Sequence, residues 1–341
     1  VKTMKTLICN EPNSMSYVDQ PVPEIKPNEV LLKIRAVGIC GTDIHAYAGR
    51  QPFFSYPRVL GHEICGEVVE LGSECSKFKQ GERASVVPCI PCGTCSACKV
   101  GKTNCCENVS LYGVHQDGGF TEYLAVLEDN LVALDDSISD SAGALVECFC
   151  IGAHAVSRAE VKPGDDVLQI GAGPIGIAAA AIAKADGARV VVADISAERR
   201  AHIEKVLSVP TVNPLDEDYV DQLKSHFDGE LPSTLFDATG NKASMSNSVN
   251  IIRHGAKIVF IGLYIGNLEL DDPTFHKKET TLMSSRNATV VDFEKVISLM
   301  KSGDLNEDMM KNQEFDFHTF GHNYAEEVVN NNTLVKGVIK F

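Results

Sequence analysis

The chain has 341 residues, 44% of them hydrophobic and 23% charged, a balance that suits a globular protein too long for one ordinary core. A formal net charge of −15 argues against a nucleic-acid partner, because binding phosphates needs a basic face. No apolar run reaches bilayer length, and Val1-Lys2-Thr3-Met4 does not open a signal peptide, so no membrane partner and a cytoplasmic location are expected.

The first part of the chain reads as short strands punctuated by turns. Val30 to Val37, Ile64 to Leu71 and Arg83 to Pro88 are strand candidates, and no clean helical period precedes about Ser139. Many short strands with Gly and Pro turns suggest a partly open barrel. The pattern changes near residue 151. Asp166 to Ile170 is an apolar strand, followed by a glycine loop, the alanine-rich helix Ile175 to Ala185 and the strand Arg189 to Ala193. That order is a βαβ unit. Helices are then expected at Ala197 to Leu207 and Met245 to Ile252, with strands at Thr234 to Asp237 and Lys257 to Gly262. The fold class expected is α/β, with a barrel domain over 1–150, a doubly wound parallel-sheet domain over 151–290, and a tail over 291–341. The tail is read as a helix at Phe293 to Met300 and a last strand at Gly337 to Phe341.

Six of the twelve cysteines, Cys89, Cys92, Cys95, Cys98, Cys105 and Cys106, crowd into one short stretch. Clustered cysteines in a long chain without export signals point to metal rather than disulfides. Cys92, Cys95, Cys98 and Cys106 have the spacing x2, x2, x7, which lets a short loop present four thiolates to a structural zinc ion. An iron–sulfur cluster uses the same ligands, but the proline that usually follows its last cysteine is missing here. Cys89 and Cys105 are read as bystanders.

A second, open zinc site needs about three protein ligands. Cys40, within Gly38-Ile39-Cys40-Gly41-Thr42-Asp43-Ile44-His45, supplies a thiolate. His62 and Glu63 follow Gly61, and Glu147 stands in Val146-Glu147-Cys148. Glycines flank the first three of these candidates.

Gly171-Ala172-Gly173-Pro174-Ile175-Gly176 follows a strand and opens a helix, and Asp194 closes the next strand. This is the context a dinucleotide fingerprint requires. The glycines permit the turn, the approach to pyrophosphate and close helix packing, while the helix N-terminus favours the anion. Asp194 suits ribose hydroxyls and disfavours a 2′-phosphate, which selects NAD. Arg199 and Arg200 keep NADP as the alternative, and a glycine loop in isolation also serves S-adenosylmethionine or FAD.

Taken together, these residues resemble the medium-chain zinc dehydrogenases, the family of alcohol, sorbitol and threonine dehydrogenases. Gly61-His62-Glu63-x2-Gly66-x5-Gly72, the cysteine lobe and the glycine loop carry the resemblance over essentially the whole chain. Within the family the chain looks like the bacterial hexonate 5-dehydrogenases, which oxidise L-galactonate or L-gulonate to a keto-hexonate. Residues 51–58, 113–120 and 275–279 carry that likeness. The resemblance implies a GroES-like catalytic domain, to which the tail returns, and a Rossmann cofactor domain with the site in the cleft between them. It implies two zinc ions per chain and NAD. Cys40, His62 and Glu63 would hold the catalytic zinc, with Glu147 a further ligand directly or through water. The family usually has proline after that glutamate; Cys148 here implies a less rigid loop. Thr42 and His45 match the proton-relay pair. Ile175, Asp194, Arg199, Gly262, Leu263, Ser285 and Arg286 match NAD-contacting positions, and Arg286 is also suited to a substrate carboxylate. The expected reaction is hydride transfer from a secondary hydroxyl to NAD, with zinc polarising that hydroxyl. Polyol or L-threonine dehydrogenation is the alternative, an NAD(H)-binding sensor the non-enzymatic one. A homodimer or homotetramer is expected, with Lys257 to Gly262 as a plausible pairing edge.

Overall fold

Residues 29–38 alternate so that Lys33 and Arg35 face outward while Leu32, Ile34 and Ala36 are buried, and the computed structural model makes them the strand Glu29–Gly38. It describes residues 2–52 and 54–341. The chain divides into two compact units. The first comprises residues up to Glu147, with Thr289–Lys301 and Met310–Phe341; the second comprises Cys148–Ala288 and Ser302–Met309.

In the first unit, Glu29–Gly38 is central to a seven-stranded sheet. Glu63–Leu71 pairs with it antiparallel, Arg83–Val86 continues from there, and Tyr123–Leu127 also pairs with Glu29–Gly38. The last strand, Gly337–Lys340, pairs antiparallel with Ala36 to Gly38 and so carries the tail into this sheet. The N-terminal hairpin, Thr3–Glu11 with Ser14–Pro21, adds a two-stranded layer. The core between these layers is aliphatic and aromatic, with Leu7, Leu32, Ile34, Ile64, Phe120, Phe317 and Phe320 fully buried. Two short helices, Gly41–Tyr47 and Ser96–Lys99, lie where no helix was expected; each is too short to show a hydrophobic period.

The second unit is a six-stranded parallel sheet. Taken by residue, its order is Thr211–Val212, Arg189–Ala193, Asp166–Ile170, Thr234–Asp237, Lys257–Phe260, Thr281–Ser284. The strand order reverses between Asp166–Ile170 and Thr234–Asp237, which opens a crevice at their carboxyl ends. Helix Pro174–Ala185 is buried on nearly all sides, and its small side chains explain how. Gly152 of helix Asp140–Ala159 lies so close that an added Cβ would meet Ala179 N at 2.5 Å.

Two expectations need correction. Lys257–Phe260 is not an edge, because Thr281–Ser284 pairs beyond it. The helix expected at Met245 to Ile252 starts earlier, over Lys242–Asn247, because Asn241 caps it by accepting from Ser244 N at 3.0 Å; a 3-10 turn, Ser248–Asn250, then ends it.

Asp166 ties this unit together. Its Oδ1 accepts from Arg189 Nε at 2.7 Å and its Oδ2 from Arg253 Nη2 at 2.6 Å. Burial alone would raise its pKa, but the two guanidinium groups prevail and hold it below the usual carboxylate range. A depressed carboxyl contributes stability above its unfolded pKa of about 3.9 and loses it as pH falls through the lower folded value. Asp166→Asn is therefore expected to destabilise this unit by about 2 kcal/mol at pH 7, the arginines being partly solvated. Urea melts at pH 7 and pH 3 should show the difference shrinking in acid; a difference that grows in acid would contradict the assignment.

Candidate active site and metal centres

Cys92, Cys95, Cys98 and Cys106 converge so that their four Sγ atoms lie within 4.8 Å of one another. A zinc tetrahedron with Zn–S near 2.3 Å needs sulfurs about 3.8 Å apart. The turns aim backbone donors at the sulfurs: Cys95 N at Cys92 Sγ (3.3 Å), Cys98 N at Cys95 Sγ (3.5 Å) and Cys92 N at Cys106 Sγ (3.3 Å). Donors from Thr94, backbone first, and from Cys95 lower Cys92 to about 5, while burial and the neighbouring thiols push Cys98 up to about 12. Four sulfurs that cannot all ionise without a cation are suited to one. Cys89 and Cys105 stay outside this group.

The second cluster is built on the first unit's central strands. Cys40 precedes helix Gly41–Tyr47, and Glu63 begins the strand paired with Gly38. Ligand atoms of Cys40, His62 and Glu63 lie within 4.8 Å of one another. Glu147 borders the group, with Oε2 3.9 Å from His62 Nε2. It lies inside helix Asp140–Ala159, not in a loop as the Cys148 substitution implied; Cys148 keeps the amide that proline lacks, and the helix runs through. The mixed thiolate, imidazole and carboxylate set fits a zinc ion with open positions.

Burial penalises a charge on His62, yet the Asp43 carboxylate, with Oδ1 3.6 Å from Nδ1, and Cys40 overcome it and hold the imidazole well above its ordinary range. Burial, with Glu63 and Asp43 adding to it, raises Glu147 to about 7 despite the opposing charges of His62 and Lys336. Two members of this site were not singled out from the sequence. Asp43 accepts from Cys40 N at 2.9 Å and from Gly61 N at 3.4 Å, so one buried carboxylate fixes both ligand-bearing segments and also faces His62. Lys336 comes from the tail, and its Nζ donates to Glu63 Oε2 at 2.9 Å, Glu63 Oε1 at 3.0 Å and Ile39 O at 3.0 Å. Asp43 sits in the quoted Cys40 motif and could have been found there. Nothing local marks Lys336, which arrives from 273 residues away.

Gly38 makes room for the Glu63 side chain: an added Cβ would stand 2.4 Å from Glu63 Oε1. Gly38→Ala should therefore displace that carboxylate, reduce the zinc bound from two ions per chain toward one, and destabilise by about 1–3 kcal/mol. Metal analysis with a thermal melt checks this, and an unchanged ion count would contradict it.

Thr42 and His45 lie one turn apart on helix Gly41–Tyr47. Thr42 is half-buried with Oγ1 3.8 Å from Cys40 Sγ, and His45 is exposed.

In the second unit, Gly171 has φ +96°, and an added Cβ on Gly176 would fall 1.9 Å from Gly171 O. Gly173 caps helix Pro174–Ala185, which places Ile175 in its first turn. Asp194 accepts from Ala172 N and Ser196 N, both at 2.8 Å, and Arg199 Nη1 is 3.9 Å from Asp194 Oδ2. A pocket of about 740 Å³ opens beside the loop, lined by Gly171, Gly173, Asp194 and Arg199, and by Thr239 and Asn241, which sequence reasoning missed. Thr239 follows the strand Thr234–Asp237, whose Asp237 accepts from Thr239 N at 2.8 Å. Gly262, Leu263, Ser285 and Arg286 lie outside this lining, past the ends of the next two strands. Leu263 is 81% exposed, and the Ser285 hydroxyl is buried with no partner among the described residues. Gly176→Ala should abolish dinucleotide binding by closing the turn on itself, whereas retained NADH fluorescence enhancement would contradict that role.

Comparison with known proteins agrees with this geometry. The alcohol dehydrogenase GroES-like domain matches residues 26–136, and the zinc-binding dehydrogenase family matches residues 174–302. L-galactonate-5-dehydrogenase of Escherichia coli (strain K12) is 53% identical over 341 residues, all of both chains. Sorbitol dehydrogenase of Bacillus subtilis (strain 168) is 34% identical over 77% of this chain and 76% of its own. Among solved structures, an alcohol dehydrogenase of Escherichia coli CFT073 complexed with NADH superposes with TM-score 0.91 at 28% identity, covering all of both chains. Galactitol-1-phosphate dehydrogenase from Escherichia coli gives 0.90 at 27%, covering 99% of this chain and 100% of its own. Among the described residues no helix is long and apolar enough to cross a membrane. The chain is an oxidoreductase of the medium-chain zinc-binding dehydrogenase family, with a GroES-like unit and a Rossmann nucleotide-binding unit.

Proposed function

We propose that this dehydrogenase oxidises a secondary hydroxyl of a sugar acid, a hexonate such as L-galactonate or L-gulonate at C5, and passes the hydride to NAD. The observation that carries the reading is the 53% identity over the full length to L-galactonate-5-dehydrogenase. The Cys40, His62 and Glu63 set supports it by retaining a complete ligand group. A zinc ion held there, with Glu147 at its border, supplies a Lewis acid for the substrate hydroxyl, and bound NAD supplies the hydride acceptor. The Asp43 carboxylate stands 3.6 Å from His62 Nδ1 and attracts that side of the ring, while Nε2 lies 4.0 Å from Glu63 Oε2. Thr42 takes the hydroxyl proton from beside Cys40, and exposed His45, one turn on, passes it to solvent. Arg286, exposed after the last parallel strand, is suited to a substrate carboxylate. Gly171, Gly173, Ile175 and Gly176 receive the pyrophosphate and Asp194 the ribose, with Arg199, Gly262, Leu263 and Ser285 completing the cofactor contacts. The free edge strand Thr281–Ser284 suits a homo-oligomer, dimer or tetramer, and the protein would act in the cytoplasm.

The test is an NAD-reduction screen over hexonates, polyols and L-threonine on purified protein whose zinc content is measured on the same sample. Turnover highest with a hexonate and about two zinc ions per chain is expected. Preference for a polyol would favour the second reading, which rests on the 34% identity to sorbitol dehydrogenase.

A further inference from the structure

We infer that Lys336 is a positioning residue that holds Glu63 back from full ligation and keeps the catalytic zinc exchangeable; this rests on the zinc reading of the Cys40 site. Three observations carry it. The Lys336 ammonium is buried, 3% exposed, and reaches both oxygens of Glu63 at 2.9 and 3.0 Å. It is fixed from both ends: Nζ also donates to Ile39 O at 3.0 Å, while Asn312 Oδ1 accepts from Lys336 N at 3.2 Å and Lys336 O accepts from Asn312 N at 3.1 Å. Glu63 in turn belongs to the three-residue ligand group, with Oε2 4.0 Å from His62 Nε2.

An ion held by Cys40, His62 and Glu63 therefore shares its carboxylate with a second, immobile cation. Two like charges near one carboxylate divide its attraction and repel each other, and burial strengthens both effects. Cys40 and His62 then carry most of the hold, and Glu63 is the ligand that yields. A buried lysine paired only for stability would predict the opposite, because its removal would loosen Glu63 and weaken the site.

The test uses the full-length holoenzyme. Zinc release to a chromogenic chelator is followed for the wild type and for Lys336→Met and Lys336→Gln, with Lys336→Arg as the charge-conserving control. The four-cysteine lobe provides an internal reference phase within each trace. In the neutral variants, release from the catalytic site is expected to slow about tenfold while the lobe phase is unchanged, and cobalt-substituted protein should show a shifted d–d absorption as the carboxylate closes on the ion. Arginine should preserve the wild-type rate. Catalytic-site release that is unchanged or faster in either folded neutral variant overturns the inference. If Lys336→Met fails to fold, Lys336→Gln, which keeps a donor for Glu63, decides it. A wild type that binds no second ion overturns the zinc reading itself, a result distinct from these.

Discussion

Cys40→Ser should lower kcat/KM by about a thousandfold or more while leaving NADH binding unchanged. The magnitude follows from the Lewis-acid contribution, several kcal/mol of barrier, at about 1.4 kcal/mol per factor of ten. Serine is close in size but a poor zinc ligand, and His62 and Glu63 alone leave too few ligands to hold the ion. The dinucleotide loop belongs to the other compact unit and is untouched by the change. Fluorescence titration with NADH and metal analysis separate the two effects: the affinity should match the wild type while zinc falls from two ions per chain to one. Retention of activity by the variant would sink the zinc mechanism, and loss of NADH binding would mean that the substitution had disturbed the fold.

The same contrast explains what could be read from residues alone. The βαβ core was nearly all visible, with strands Asp166–Ile170 and Arg189–Ala193 and helix Ala197–Leu207 at the expected bounds. Buried parallel strands are continuous apolar runs, and the helices between them are long enough to show a period. The barrel was harder. The hairpin Thr3–Glu11 with Ser14–Pro21 alternates only briefly, as in Ser14-Met15-Ser16-Tyr17, and mixes polar and apolar residues elsewhere on a half-exposed layer, so its pattern is weak. The pairing-edge error has a different cause: a sheet's edge is set by how many strands follow, and Thr281–Ser284 is short and largely uncovered.

Site residues divide in the same way. Cys40 comes two residues after Gly38, and His62 and Glu63 follow Gly61; an added Cβ would clash at both glycines, and such glycines leave a mark in the sequence. Lys336 and Asp43 act through partners brought by the fold. Their roles depend on one strand, Gly337–Lys340, inserting beside Glu29–Gly38, and on a buried carboxylate reaching His62. Asp43, three residues after Cys40 at a helix start, leaves a spacing rule, whereas Lys336 leaves none. The pocket beside the glycine loop gained Thr239 and Asn241 for the same reason, since the reversal of strand order sets their loop beside Gly171.

The cysteine lobe should respond to mutation in the reverse manner. Cys95→Ala is expected to lower the melting temperature by about 10 °C, the shift that about 4 kcal/mol gives in a unit of this size. Cys95 is buried, donates to Cys92 Sγ through its amide, and begins the helix Ser96–Lys99 by accepting from Cys98 N, so the lobe's turns and its ion are lost together. Among the described residues the lobe's strand pairing is short, the two-residue ladder of Cys89–Ile90 with Ser110–Leu111. Zinc contributes folding energy outright in such sites. At low temperature, where the variant stays folded, kcat should remain within a few-fold of the wild type, because the Cys40 cluster sits on the central sheet and not on the lobe. Thermal melts paired with kcat at about 10 °C would decide the matter. A variant that melts normally yet has lost its turnover would place chemistry in the lobe, contrary to the separation of roles drawn from the two ligand sets.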